Sequence, residues 1–571
     1  MRNLKFNQLL LLSNSEKSGN LFQFQRNLNL ITAKDNNVGK STLVKLLFWT
    51  IGCEPSFDTK WKNLDCKAIV KFEIDSQEYH VMRYKDLITL KIVKTNTKTS
   101  YIKITGDYAK KIAELLDFKV LLANRAEELE TPPPAYYFLP FYIDQKRSWT
   151  KAWDNFEKLE QYSDWKSTLI KYHVGLLTPA HFDFEKEKYE QKGIQRIITK
   201  DIEKIDIALN IVDSYIPKVS ESITTNVDKF FTMSEEIKKD LSELANNQEQ
   251  ILNELSENES EKAYLEHQKN ISEKIIQELD SDYKFTIENV QEEEVECPLC
   301  GTVHENSIIN RASILTDKQQ AENQLQEINQ SIDKLQLKIE KLTVRLNSVK
   351  NKIGELNSKY TIEDDNNISI GFNDIIESIA GKSIQEKVTL TKKNKLDEES
   401  NLEKQIKAIQ KDQKDLQIKE TIENIIATFN ATFTKYAKVL GAEDINLSEI
   451  KSPLDYNKVV KEGGAAENSR AILAYYSTIY SLVETYGNEV KCAFIIDTPN
   501  QHEQSFTNYD KIIQLIMNNF PKDSQIILCA MENTQLSAFE KVANNIILDN
   551  KKLLDKLKYD EVKKEFDTME T

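Results

Sequence analysis

The chain has 571 residues, far beyond a single compact domain, so several domains or a long elongated element are required. Its 76 Lys+Arg against 91 Asp+Glu leave a net charge of −15, which excludes a molecule coated in basic surface but leaves room for a local basic groove. Only 14 Gly and 11 Pro, with a mean hydropathy of −0.52, point to long polar helices carrying a narrow apolar stripe, while 23 Phe, 22 Tyr and 5 Trp exclude a disordered chain.

From Met1 to about Trp149 the pattern is mixed α/β. Strand-like runs at Leu4 to Leu12, Leu28 to Ala33, Ala68 to Ile74, Tyr79 to Tyr84 and Ile88 to Val93 surround a helix predicted from Ser41 to Ile51. The Leu9 to Leu12 run is too short for a secretory signal, and no stretch of about 18 apolar residues offers a membrane span, so no membrane partner and a cytoplasmic location are expected. Between the second strand and the helix lies Ala33-Lys34-Asp35-Asn36-Asn37-Val38-Gly39-Lys40-Ser41-Thr42. Strand, loop and helix in that order are what a phosphate-binding loop needs: backbone N–H groups and a helix N-terminus around the phosphates, Lys40 on the β/γ oxygens, and the Ser41 hydroxyl on Mg²⁺. Lys34 stands where the pattern has its first Gly, although Asn36 and Asn37 tolerate left-handed backbone. A chance GKST at a helix start is the competing reading.

From about Glu185 to Asn430 aromatics thin out and Lys, Glu, Gln and Asn dominate. Ile237, Leu241, Leu244, Gln248, Ile251, Leu255, Asn258, Lys262 and Leu265 alternate at spacings of three and four. So do Leu325, Ile328, Ile332, Leu335, Ile339, Leu342, Leu346, Val349, Ile353 and Leu356, and, more briefly, Leu402, Ile406, Ile409 and Leu416. Such alternation is a coiled-coil seam, and polar seam residues fix its register. Between the first two seams stands Cys297-Pro298-Leu299-Cys300, so the simplest topology is a helix going out, a tip at Cys297 to Cys300, and a helix returning antiparallel, with breaks at Pro217 and at Glu363 to Gly381. The pair supplies two thiolates, half of a tetrahedral Zn²⁺ site that a second chain completes; His304 as a further ligand, a redox pair or an unoccupied turn are the alternatives. Cys53, Cys66, Cys492 and Cys529 read as core or surface thiols, and Pro132 to Pro134 as a stiff loop.

After about Ala431 the α/β character resumes, with a helix near Arg470 to Tyr486 and buried strands at Cys492 to Ile496 and Ile526 to Cys529. Ala493-Phe494-Ile495-Ile496-Asp497 is an apolar strand ending in a carboxylate, the Walker B layout in which the Asp orients Mg²⁺. The predicted segments are therefore 1–180 and 431–571 as two halves of one α/β ATPase head, 181–296 and 306–430 as the arms of a long antiparallel coiled coil, and 297–305 as its tip.

With these motifs at Ala33 to Thr42, Cys297 to Cys300 and Ala493 to Pro499, the chain resembles the SMC/Rad50 branch of ABC-type ATPases, with a split head and a Cys-x-x-Cys zinc hook. The resemblance implies a Q-loop, placed by Phe138 to Gln145, with Gln145 near Mg²⁺ and the γ-phosphate of ATP. It also implies a signature element that contacts ATP across a head dimer; Gly463-Gly464-Ala465-Ala466-Glu467-Asn468-Ser469-Arg470 stands in its place but departs from the consensus, leaving Gly464, Asn468 and Ser469 as candidate contacts. The family's catalytic Glu is replaced by Thr498, which is no carboxylate base, and Gln501 or Glu503 remains to position water. Ala530-Met531-Glu532 follows the next strand where the family has a switch His. Slow turnover, with ATP acting mainly as a dimerisation switch, is the expectation.

Within the family, the short length, the Asn-Asn-Val-Gly-Lys-Ser loop, Ile143-Asp144-Gln145, the Cys-Pro-Leu-Cys-Gly-Thr tip and Asp497-Thr498-Pro499 are most similar to the SMC-like subunits of bacterial Lamassu-type anti-phage systems. That resemblance implies a homodimer through heads and hook, a DNA partner, and a nuclease effector carried by another subunit. A Rad50-like repair ATPase with an Mre11-type nuclease, and a structural tether with little turnover, are the alternatives. Lys60, Lys62, Lys67, Lys110, Lys111 and Arg147 are candidates for a DNA-contacting groove, although helix and strand edges ordinarily carry such charges. DNA binding fits the net charge only if the acidic excess lies on the coiled coil and the head is near neutral.

Overall fold

The computed structural model describes residues 2–35, 38–58, 61, 64–124, 128–215, 235–288, 294–296, 303–305, 308–357, 362–363, 369–370, 372–442, 446–460, 464–500, 504–548 and 553–570. They divide into two compact units, Met1–Glu190 with Lys407–Thr571, and Gln191–Ile406.

The first unit is built on two sheets. Strands β1 (Leu4–Ser13), β2 (Ser18–Gln23), β4 (Lys67–Ile74), β5 (Gln77–Tyr84), β6 (Leu87–Ile92) and β7 (Thr97–Tyr101) form an antiparallel sheet in the order β2-β1-β4-β5-β6-β7. The other sheet is parallel and mixes both ends of the chain: β3 (Leu28–Ala33) and β8 (Tyr142–Ile143) from the N-terminal side with β9 (Phe494–Asp497), β10 (Ile526–Met531) and β11 (Asn544–Ile547) from the C-terminal side, in the order β8-β9-β10-β3-β11. Its central strands are largely apolar and buried on both faces, as parallel sheets require, with Asn29 and Thr32 the polar residues of β3. Helix α1 (Lys40–Ile51) follows β3 and packs in the same core, with Leu43, Val44, Leu46, Leu47 and Phe48 fully buried. The C-terminal edges of β3, β8 and β9 share one end of the sheet, where ligands of open α/β folds bind.

In the second unit, α2 (Pro179–Tyr215, of which residues from Gln191 belong here), α3 (Glu235–Glu288), α4 (Ile308–Asn357) and α5 (Phe372–Asp415, of which residues to Ile406 belong here) pack side by side. Ion pairs Asp280–Lys318 and Glu254–Arg345 run α3 and α4 antiparallel. Ile251, Leu252, Leu255, Leu342, Leu346, Val349 and Ile353 bury one another along the two long seams, and Gln248 is buried within the first. The packing is richer than a two-stranded seam: Ile384 and Val388 of α5 enter the same cluster, and Lys387 pairs with Glu249, so a third helix covers the pair. Two short strands, Glu294–Glu296 and Val303–Glu305, pair antiparallel on either side of residues 297–302. Cys297, Cys300 and Pro217 lie outside the described residues. Helix α4 ends at Asn357, before the stretch Glu363 to Gly381 expected to break the return arm, and α5 starts at Phe372, inside that stretch, and continues as helix through Gly381.

The helices of the first unit also include α6 (Lys419–Leu440), α7 (Ala465–Tyr486) and α8 (Tyr559–Glu570). Val562, Phe566 and Met569 of α8, spaced to share one helix face, cover Leu10, Leu12, Ile69 and Met82 on the outer side of the antiparallel sheet. Among the described residues no helix is long and apolar enough to cross a membrane.

Candidate nucleotide and cation site

The turn from β3 into α1 brings the phosphate-loop residues to the sheet end. Gly39 holds φ 105°, a left-handed conformation natural only to glycine, and a Cβ there would lie 2.6 Å from Leu553 Cγ, so both backbone and space demand Gly. No side chain caps α1, which leaves its first-turn N–H groups to a ligand or solvent. Val38 is buried, Lys34 is exposed, and Asn36 and Asn37 lie outside the described residues; Thr42 sits in the first turn of α1. Lys40 Nζ donates to the Asp35 carbonyl at 3.1 Å. Burial holds its ammonium below the ordinary lysine range, opposed by Cys529, Asp497 and Asp35.

Three residues far apart in sequence meet at the next position of the helix. Ser41 Oγ lies 2.8 Å from Gln145 Oε1 and 3.0 Å from Asp497 Oδ1. The hydroxyl has a single proton to share between two acceptors, and the second Asp497 oxygen, Oδ2, is buried with no partner. Burial, reinforced by the neighbouring Asp144 carboxylate, pushes the Asp497 carboxyl up to about 7, against the hydrogen bonds of Ser41 and Thr498 and the Lys45 cation. An oxygen-only donor set with an orphaned carboxylate oxygen suits a hard divalent cation and fits Mg²⁺.

Thr498 follows directly, with φ 58°, a strained conformation for a β-branched residue. Its N–H donates to the Cys529 carbonyl and its hydroxyl to Asp497 Oδ1 at 3.1 Å. Gln501 and Glu503 lie outside the described residues. At the start of α7, Gly464 is the N-cap with open space around it, and no side chain caps the helix. Asn468 Nδ2 donates to the Val460 carbonyl at 3.5 Å. Ser469 is 1% exposed and its hydroxyl donates to the Ala465 carbonyl, so it is turned into the fold and not outward as a contact residue would be.

Three residues beside this cluster had no role assigned from the sequence, although Asp144 stands in the Ile143-Asp144-Gln145 motif. Lys45 and Asp144 form a buried ion pair at 3.2 Å, and the Trp149 indole N–H donates to the Asp497 carbonyl at 3.0 Å. A lysine in the otherwise apolar run Leu43 to Trp49 was the available signal for the first. Of the basic groove candidates, Lys67 pairs with Glu570, Lys110 with Asp107, Lys111 with Glu114 and Arg147 with Asp154, while Lys60 and Lys62 lie outside the described residues.

The Lamassu protein LmuB of Bacillus cereus (strain VD014) is 24% identical to this chain over 558 residues, covering 93% of the chain and 91% of the relative. The chain resembles LmuB along nearly its whole length. A second Lamassu protein LmuB, from a Bacillus sp. (strain NIO-1130), is 22% identical over 580 residues, covering 96% and 97%. No protein-family model matches the chain. Among solved structures, the Smc head domain with a coiled coil and joint from Pyrococcus yayanosii aligns with a TM-score of 0.34 at 12% identity, covering 93% of this chain and 92% of that one. The Smc head domain with an extended coiled coil bound to the C-terminal domain of ScpA from Pyrococcus furiosus aligns with a TM-score of 0.30 at 10% identity, covering both chains in full.

Proposed function

We propose that this chain is the SMC-like, ATP-binding subunit of a Lamassu-type anti-phage defence complex, in which ATP-dependent engagement of two heads on foreign DNA or DNA ends controls a nuclease effector carried by another subunit. The observation that carries the reading is the meeting of Ser41, Gln145 and Asp497 around an orphaned carboxylate oxygen, next to Lys40 at an uncapped helix start. Near-full-length similarity to LmuB supplies the defence context.

Ser41, Gln145 and Asp497 would hold Mg²⁺, which when bound neutralises charge on the β and γ phosphates. Lys40 moves from the Asp35 carbonyl to the phosphate oxygens, and the bare N–H groups of the first turn of α1 surround them. Gly464 and Asn468 of a second copy face the γ-phosphate across the head dimer. Thr498 offers no carboxylate to deprotonate water, so Gln501 orients it and turnover is slow. Cys297 and Cys300 of two chains would together supply four thiolates for a Zn²⁺ ion.

The test is a Lys40→Ala variant of the full chain, followed for association of two copies on duplex DNA with free ends, with and without ATP. Loss of the ATP-dependent association with the zinc-linked dimer intact is the expected result. Unchanged behaviour on DNA overturns the switch and leaves the structural tether. Co-purification with an Mre11-type phosphoesterase in place of a defence nuclease would move the protein to repair.

A further inference from the structure

The turn that presents Gln145 is fastened by groups to which the proposed function gives no task. Asp144, 1% exposed, directly precedes Gln145. Its Oδ1 lies 3.2 Å from Lys45 Nζ and accepts the Tyr142 hydroxyl at 3.0 Å, while Oδ2 accepts the N–H groups of Lys146 at 2.9 Å and Arg147 at 3.1 Å. The Asp144 N–H donates to Ser148 Oγ at 2.9 Å. Lys45, also buried, sends a second hydrogen bond to the Ser56 carbonyl at 2.9 Å. At the far end of the turn, the Trp149 indole N–H reaches the Asp497 carbonyl.

Ser41 and Lys45 are four residues apart and so lie on one face of α1, a turn from each other. Asp144 and Gln145 are consecutive. The contacts Ser41 to Gln145 and Lys45 to Asp144 are therefore two rungs between the same pair of segments, the second charged and sealed from water. A lysine buried in an apolar helix carries a large desolvation cost, and without Asp144 only the Ser56 carbonyl and the field of the Asp497 carboxylate remain to offset it.

We propose that Lys45, Asp144 and Trp149 are positioning residues: they clamp residues 144–149 onto α1 and β9, hold the Gln145 oxygen on Ser41, and thereby set how tightly the site holds a nucleotide-bound divalent cation. The proposal rests on the reading of Ser41, Gln145 and Asp497 as the cation site. A supporting group of this kind ordinarily changes metal affinity by about 10–100-fold.

The test titrates a fluorescent ATP analogue into the full-length protein in EDTA and in magnesium, and takes the ratio of the two affinities. The variants are Gln145→Ala, the charge-free Lys45→Met/Asp144→Asn, which leaves no uncompensated buried charge, and the combination of all three. The clamp predicts that the first two each reduce the magnesium enhancement by about tenfold, keep the EDTA affinity within about twofold, and together lose no more than Gln145→Ala alone, because both act through one side chain. Wild-type enhancement in the charge-free variant, losses that multiply to about a hundredfold, or an EDTA affinity that falls in parallel overturns it. If the charge-free protein does not fold, Trp149→Phe, which loses a single hydrogen bond, is judged by the same three criteria. A wild type without magnesium enhancement overturns the cation site itself; enhancement lost in Gln145→Ala alone overturns only the clamp.

Discussion

Replacing Asp497 by Asn removes a carboxyl that the fold buries completely and whose second oxygen meets no partner. Burial and the Asp144 charge raise its pKa from 3.8 to about 7. The folded state therefore binds the proton more tightly than the unfolded chain, and the metal-free protein loses stability as pH rises from about 4 to about 7, with no further loss above that. At 1.36 kcal/mol per pH unit the full window amounts to about 4 kcal/mol, and the part above pH 5 to about 3 kcal/mol. The amide carries no such term, so the Asp497→Asn variant should gain on the wild type by about 3 kcal/mol between pH 5 and pH 8, on the order of 5 °C in melting temperature for a unit of this size. Thermal melts in EDTA across that range measure the difference. A constant offset between the two proteins would refute the burial argument. Added Mg²⁺ and ATP should reverse the ranking at pH 8, because ligand that binds only the folded wild type stabilises it alone.

Gly39→Ala should destabilise the nucleotide-free protein by roughly 1–2 kcal/mol from the left-handed backbone alone, and by more through the overlap with Leu553, as read by urea denaturation; an unchanged midpoint would contradict the φ of 105°. Leu255→Ala, at a fully buried seam position packed among Ile251, Leu346 and Ile353, should cost the helical unit about 2–5 kcal/mol and show as an earlier loss of helical circular dichroism, with nucleotide affinity unmoved. Metal analysis of the purified protein should find about one zinc ion per two chains, absent in Cys297→Ser, whereas a zinc-free native protein removes the hook.

The residues whose chemistry is local were legible in the sequence, and those whose role depends on tertiary placement were not. Lys40 and Ser41 stood out because a loop after a strand opens a helix there, Asp497 because it ends an apolar strand, and Leu342 to Ile353 because a seam repeats. Asp144 reads as a polar residue after a short strand; only the fold sets it against Lys45, far earlier in the chain. The strands Ser18–Gln23 and Thr97–Tyr101 escaped notice because they are polar sheet edges, without the apolar alternation of a half-buried strand. Ile384 and Val388 escaped because a helix joining an existing pair needs only a few apolar contacts and shows no sustained repeat. Ser469 looked like an exposed contact residue at a helix start, yet its hydroxyl bonds back to the preceding turn, a choice Ser makes in helices without any mark in the sequence.

The acidic charge that stood against a nucleic-acid partner takes a different meaning once the two units are separated. Of the 76 basic and 91 acidic residues, 27 and 42 fall in Gln191–Ile406, which leaves 49 of each in the unit that carries the candidate nucleotide site. The whole excess of −15 thus belongs to the helical unit, and the unit with Lys40 and Asp497 is electrically balanced. A balanced unit presents no net repulsion to a phosphate backbone, and positive patches on it keep their local field, since charges beyond about 10 Å are screened at ordinary ionic strength. If the proposed DNA partner binds this unit, its discrimination from bulk anions would come from the arrangement of charges there, where Lys67, Lys110, Lys111 and Arg147 are already paired with carboxylates. Phosphate contact there would compete with those partners, so DNA affinity on this unit should be modest per chain and strengthened chiefly by bringing two chains together, the step that ATP is proposed to govern.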